Sequence, residues 1–182
     1  MDVKKYPGNG LILTGERGSG KTMLCSMVAE NARRAKWHVG GVLSPAVFEK
    51  GQKTAIDVID LSSGRRGKLA RPRQSGDEGI LTSHWTFDVQ ALKWGNASLK
   101  EAVPCDLLVM DELGPLELLR GQGLTAGLEA LDSGLFSLAL VVVRPELLEI
   151  ACKRWQHARV VILKAPGEAA SLAETLCREY GI

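Results

Sequence analysis

A glycine-rich segment at residues 15–22 has the residue types and spacing of this chain that most clearly indicate a chemical function. It fits the pattern G-x-x-x-x-G-K-[ST] and consists of Gly15, Glu16, Arg17, Gly18, Ser19, Gly20, Lys21 and Thr22. In such a loop the backbone N–H groups surround phosphate oxygens, the lysine reaches the terminal phosphates and the hydroxyl lies beside Mg²⁺. We therefore expect this loop, together with Met23 after it, to bind the phosphates of a nucleotide.

The pair Asp111-Glu112 is the second feature that could carry chemistry, because it ends the apolar run at residues 105–110. A carboxylate at the tip of a central strand can anchor Mg²⁺, which prefers oxygen ligands and keeps several waters. We expect Thr22 and Asp111 to hold that ion, and Glu112 to hold an attacking water as general base. A glutamate at the attack site favours water over a kinase's acceptor hydroxyl, so hydrolysis is the preferred reaction.

An arginine is expected to complete the catalytic set of Glu112 and Lys21. Phosphoryl transfer gathers negative charge on the γ-phosphoryl oxygens, and Lys21 and Mg²⁺ neutralise only part of it. Arg144 is the leading candidate because it follows a predicted strand, and strand ends in such sheets open onto the ligand crevice. The alternatives are Arg71, Arg73 and Arg120.

The spacing of apolar residues predicts the elements that must position this chemistry. A strand ending at Thr14 precedes the loop and a helix at residues 22–36 follows it, which is the context that such a loop requires. The other predicted elements are strands at 37–43, 54–61, 80–87, 105–110, 135–143 and 159–163, helices at 88–102, 118–131, 145–156 and 167–180, turns at 49–53 and 62–68, and a flexible loop at 71–79. This alternation indicates a mostly parallel α/β sheet flanked by helices, with an antiparallel β-hairpin inserted at about residues 41–87.

Length and charge restrict the class of protein. The 182 residues suit a single α/β domain, and 23 lysines and arginines nearly balance 21 aspartates and glutamates. This balance argues against a protein that mainly coats nucleic acid, although the cationic residues 65–68 leave a local nucleic-acid contact open. We expect a monomer or weak oligomer.

Other sequence features bear on the cellular compartment. No apolar stretch approaches the roughly 20 residues that cross a membrane, and residues 1–7 lack the apolar core of a secretory signal. The cysteines contain no C-x-x-C pair and are expected to be reduced thiols; they are Cys25, Cys105, Cys152 and Cys177. These features predict a cytoplasmic protein without membrane contact.

The residues after Asp111-Glu112 form the most distinctive motif of the chain, reading Leu-Gly-Pro-Leu-Glu-Leu over 113–118. Together with residues 15–22, 40–44 and 57–64, this motif resembles the small P-loop nucleoside-triphosphatase family first named from thermophiles, whose relatives include the cancer-related nucleoside-triphosphatase. The resemblance implies a RecA-like domain that hydrolyses nucleoside 5′-triphosphates to diphosphate and phosphate with Mg²⁺, slowly and with broad tolerance of the base.

Several points remain open from the sequence. Residues 44–48 read Ser-Pro-Ala-Val-Phe where that family has an acidic pair and an arginine, and Arg144 stands where relatives commonly end a strand in threonine. Glu117 could lie near the nucleotide or stabilise a helix N-terminus. The alternative functions are a small-molecule or nucleotide kinase, and a nucleotide-state switch or assembly ATPase acting on a partner or nucleic acid.

Overall fold

The computed structural model describes residues 9–182, so the interpretation of residues 1–7 lies outside the described part. The strands are β1 (Asn9–Thr14), β2 (Val39–Leu43), β3 (Ala46–Glu49), β4 (Gln52–Asp60), β5 (Arg66–Pro72), β6 (Trp85–Phe87), β7 (Cys105–Leu113), β8 (Phe136–Val143) and β9 (Arg159–Ile162). The helices are α1 (Lys21–Arg34), α2 (Val89–Glu101), α3 (Pro115–Arg120), α4 (Ala126–Ser133), α5 (Leu148–Arg154) and α6 (Ala169–Tyr180). Short 3-10 turns precede α5 and α6.

Parallel strands form the part of the sheet that carries the phosphate loop, in the order β2-β7-β8-β1-β9. Strand β8 lies between β1 and β7, so that Val141 pairs with Ile12 on one side and with Met110 on the other. The carboxyl ends of parallel strands share one edge of a sheet. The phosphate loop after β1, the acidic end of β7 and Arg144 after β8 therefore meet along that edge.

The insertion between β2 and α2 lies within the predicted range of about residues 41–87, but it is a set of four antiparallel strands, β3 to β6, where a two-stranded hairpin is predicted. Strand β5 contains the end of the turn predicted at residues 62–68 and the start of the loop predicted from residue 71. Both predictions are wrong for the residues that lie in this strand. Charged residues suit β5 because its two ends are exposed, whereas Leu69 and Ala70 at its centre are buried. Arg66 at one end contacts Asp57 of β4 at 2.6 Å. The predicted strand at residues 80–87 is confined to β6.

Two apolar clusters lie on opposite faces of the sheet, because successive side chains of each buried strand point to opposite sides. In β7, Leu107 and Val109 pack on the side of α1 and α6, while Leu108 and Met110 pack on the side of α2, α4 and α5. This double coverage explains why the strands that lead to the site are almost continuously apolar.

The helix predicted at residues 118–131 is broken into α3 and α4. Gly121 and Gly123 between them have φ of 60° and 80°, which glycine adopts without the steric cost of a side chain. Within residues 9–182, no helix combines the length and the apolar character needed to span a membrane.

Candidate active site

The phosphate loop is a backbone turn that joins β1 to α1. Gly18 and Gly20 have φ of 81° and 94°, and Gly20 is the N-cap residue of α1. Positive φ values turn successive N–H groups toward one point in front of the helix, where an anion can bind. A side chain at Gly20 would also come within 3.0 Å of the Pro166 Cα atom. Both backbone conformation and space therefore call for glycine at this position.

Lys21 is held over the loop by hydrogen bonds to the loop itself. Its ammonium donates to the carbonyl oxygens of Gly15 (2.7 Å) and Glu16 (2.8 Å) and to the Ser19 hydroxyl (3.2 Å). These bonds use all three ammonium protons, so incoming phosphate oxygens would replace part of this set. Ser19 is buried, and the exposed members of the predicted phosphate-binding set are Glu16, Arg17, Gly18 and Met23.

Asp111 is buried beside the first turn of α1, with 1% of its surface exposed. The Thr22 hydroxyl donates to one carboxylate oxygen at 3.2 Å, and the Ser44 backbone N–H donates to the other at 3.1 Å. Burial raises the pKa of Asp111 to about 6, although the bonds from Ser44 and Thr22 act in the opposite direction. The structure thus brings together the two residues that the sequence predicts as metal ligands.

Glu112, the residue after Asp111, forms an ion pair with Arg144. Both side chains remain more than one third exposed, at 36% and 38%. Burial lowers the pKa of Arg144, but the attraction and hydrogen bond of Glu112, together with the charges of Glu146 and Glu117, prevail and raise it. The residue predicted as general base and the arginine predicted from the end of β8 therefore touch each other.

The competing arginines contact other groups. Arg71 makes two bonds to the Asp77 carboxylate, at 2.7 and 2.6 Å. Arg73 donates to the Thr82 carbonyl oxygen at 3.3 Å, and Arg120 donates to the Leu81 carbonyl oxygen at 3.1 Å. Among the four candidates, Arg144 is the one that the fold places against Glu112.

Glu117 is buried, with 8% exposed, and its carboxylate binds two backbone N–H groups. One oxygen accepts from Gly114 and the other from Leu124, each at 3.0 Å. Burial raises the pKa of Glu117, and the two N–H groups oppose that rise. Glu117 therefore caps α3 and ties the start of α4 to it, in agreement with the helix-stabilising alternative.

Lys53 of β4 and Trp85 of β6 are the residues of this region that the sequence interpretation missed. The Lys53 ammonium lies 4.7 Å from the centroid of the Trp85 ring. Burial lowers the pKa of Lys53. Four charged residues of the site also affect it: Glu112 and Asp111 raise the pKa, and Arg17 and Arg144 lower it. Residues 49–53 are predicted as a polar turn because no apolar side chain occurs among them, whereas β4 already begins at Gln52.

The chain resembles known proteins along most of its length. A family model described as "NTPase" matches residues 10–164. The nucleoside-triphosphatase THEP1 of Thermococcus kodakarensis is 31% identical over 134 residues, which are 72% of this chain and 74% of that protein. The THEP1 of Methanopyrus kandleri is 32% identical over 111 residues, and the matched part spans 60% of each protein.

Two solved structures share the fold. The solution structure of a human cancer-related nucleoside triphosphatase superposes with a TM-score of 0.68 at 22% identity, covering 92% of this chain and 97% of that one. The crystal structure of THEP1 from the hyperthermophile Aquifex aeolicus gives a TM-score of 0.61 at 18% identity and covers 94% and 98%. These likenesses confirm the predicted α/β fold with its mixed sheet.

Proposed function

This chain belongs to the NTPase family, and we propose that it hydrolyses nucleoside 5′-triphosphates to the diphosphate and phosphate. The observation that carries the proposal is the meeting of three groups at one edge of the sheet. These groups are the phosphate loop with Lys21, the buried Asp111 beside Thr22, and the partly exposed Glu112. The names of the relatives agree with this reaction.

Magnesium is proposed as the cofactor because the residues at the site suit it. Thr22 and Asp111 present oxygen donors in mutual contact, and hard oxygen donors are those that Mg²⁺ prefers. These two residues would hold the ion, directly or through water. When bound, Mg²⁺ would neutralise charge on the phosphate oxygens during transfer.

The chain's own groups divide the remaining work. The loop backbone and Lys21 would bind and orient the phosphates, because they supply N–H donors and a fixed cation. Glu112 would accept a proton from the attacking water through its carboxylate. Arg144 would place its guanidinium against the γ-phosphoryl oxygens once the ion pair with Glu112 opens.

The ion pair between Glu112 and Arg144 gives the nucleotide a specific role in completing the site. While the two side chains bind each other, part of the carboxylate's hydrogen-bonding capacity is used by the guanidinium. A γ-phosphoryl group near Arg144 would compete with the Glu112 carboxylate for the guanidinium, because the phosphoryl group and the carboxylate are both anions. Binding of the triphosphate would therefore free Glu112 to hold water.

The reaction is tested by incubating the protein with Mg²⁺ and each common nucleoside triphosphate while measuring diphosphate and free phosphate. Equal amounts of the two products are expected, and chelation of Mg²⁺ should stop their formation. Diphosphate formed without free phosphate in the presence of an acceptor metabolite would instead indicate a kinase. Strong activation by RNA, DNA or cell extract would favour a nucleotide-state switch. Cytoplasmic location, broad base tolerance and a monomeric or weakly oligomeric state stay predictions.

A further inference from the structure

Strand β4 carries the insertion over the catalytic edge of the sheet. It runs antiparallel to β2 and pairs with it only near its own end, through Asp60 with Val42 and Ile59 with Leu43. Earlier residues of β4 therefore extend past the last residue of β2, where β3 becomes their partner. Register shifts interrupt both the β3–β4 and the β4–β5 pairing in this overhang. Such bulges bend a strand and increase its twist, so β4 does not continue as a straight strand past the end of β2.

Lys53 is the cation near the start of β4, within this overhang. Two acidic residues and two arginines of the site act on it: Glu112, Asp111, Arg17 and Arg144. These groups come from the phosphate loop and from the ends of β7 and β8. The overhang of β4 past the end of β2 therefore brings the ammonium within electrostatic reach of the catalytic edge, beside which a bound nucleotide's terminal phosphate would lie.

The Lys53 ammonium has an aromatic neighbour but lacks an anionic partner among residues 9–182. Its side chain is half-buried, and the Trp85 ring lies 4.7 Å away. Burial and the nearby arginines lower the pKa of Lys53, while Glu112 and Asp111 oppose that effect. Two arginines of the insertion differ from Lys53 in this respect, because Arg66 pairs with Asp57 and Arg71 pairs with Asp77. A half-buried cation without a hydrogen-bonded anion can gain a charge-assisted hydrogen bond when an anion such as a phosphate binds beside it.

We propose that Lys53 binds the γ-phosphoryl group of the substrate, with Trp85 holding its side chain in place, so that the insertion completes the active site. The proposal rests on the proposed function, because it takes Glu112 to mark the side from which water attacks. It adds Lys53 to Arg144 and Lys21 as a cation that meets the γ-phosphoryl group, which a triphosphate has and a diphosphate lacks. Most donors of the phosphate loop, in contrast, are its backbone N–H groups, which can bind a diphosphate as well.

The test compares binding of the non-hydrolysable β,γ-imido analogue of ATP with binding of ADP, in the presence of Mg²⁺. Lys53→Met removes the charge but keeps an unbranched apolar stem against Trp85, and Lys53→Arg restores the charge. Lys68→Met is the matched control, since Lys68 is an exposed lysine of β5 in the same insertion. Thermal unfolding of each variant verifies that the fold is retained.

We expect Lys53→Met to weaken binding of the triphosphate analogue by about 10-fold or more, the scale of a hydrogen bond between charged groups. Binding of ADP should change less than about twofold, Lys53→Arg should recover most of the affinity, and Lys68→Met should behave like the wild type. Equal losses for analogue and ADP, or no loss for either, would overturn the assignment of Lys53.

The binding comparison separates this proposal from the proposed function. If the wild type releases no phosphate from any triphosphate, hydrolysis is refuted, whereas selective loss of analogue binding in Lys53→Met would still support the γ-phosphoryl contact. If the wild type hydrolyses the triphosphate and Lys53→Met retains both binding selectivity and turnover, the Lys53 proposal alone fails.

Discussion

Replacing Glu117 tests whether this buried acid supports the fold or the reaction. Glu117→Ala would leave the N–H groups of Gly114 and Leu124 without their carboxylate acceptor. A buried backbone donor without a partner costs about 1–3 kcal/mol, so the pair predicts a loss of about 2–6 kcal/mol in unfolding free energy. Since domains are stable by roughly 5–15 kcal/mol, such a loss would be a large share of the total.

Glu117→Gln refines the same prediction. A glutamine side chain retains one acceptor oxygen but replaces the other by an amide NH₂, which faces a second donor. One N–H group thus keeps its bond, and the expected loss falls to about 1–3 kcal/mol. The order of stability should therefore be wild type, then Gln, then Ala.

The assay is urea unfolding followed by circular dichroism, with phosphate release measured at low temperature on the folded fraction. Glu174→Ala is the control, because Glu174 is exposed on α6, and such surface changes usually stay within about 0.5 kcal/mol. The reasoning would be refuted if Glu117→Ala unfolded like this control. It would also be refuted if Glu117→Gln kept full stability but lost turnover, since that result would place Glu117 at the nucleotide.

Three further predictions concern other parts of the site and its insertion. Arg144→Gln should lower phosphate release by about 10³-fold with little change in triphosphate affinity, the low end of the range for a transition-state arginine; unchanged turnover in the same assay would remove Arg144 from the reaction. Lys21→Ala should weaken binding of both ADP and the triphosphate analogue and lower turnover as well, and normal binding measured by calorimetry would contradict the phosphate-loop assignment. Burial tends to raise the pKa of Asp60, but bonds from Ser63 and Ser62 prevail and lower it below its ordinary value of 3.8. Its contribution to stability should therefore be present above about pH 4 and disappear as the pH falls through the folded-state pKa. Unfolding curves should accordingly show Asp60→Asn less stable than the wild type at pH 7, with a gap that narrows toward pH 3, and a gap independent of pH would disprove this origin.

The parts of the site that depend on local pattern could be predicted from the sequence. The phosphate loop requires a strand, a set of glycines and a helix that are adjacent in the chain, and all three occur together. The N-cap of α2 is equally local: Asp88 accepts the Ala91 N–H at 2.7 Å, as a side-chain oxygen at a helix start should. The apolar run before Asp111-Glu112 likewise indicated a buried parallel strand.

The parts that depend on distant pairing could not be predicted in the same way. Strand β5 looks like a cationic turn until Arg66 meets Asp57 on the neighbouring strand. Lys53 becomes a candidate site residue only when β4 extends past β2, which the sequence does not reveal. The contact between Glu112 and Arg144 depends on β8 lying between β1 and β7, a matter of strand order. In each case the missing information is which strands become neighbours.

The central claim is that Glu112 activates water for attack on a triphosphate held by the phosphate loop. It is tested most directly by phosphate release from Glu112→Gln, measured beside its triphosphate affinity and beside Glu174→Gln as an exposed control. We predict an affinity within about threefold of the wild type and a turnover lower by about 10²-fold or more, the scale of a positioned general base. Wild-type turnover in Glu112→Gln, with the control equally active, would contradict the assignment.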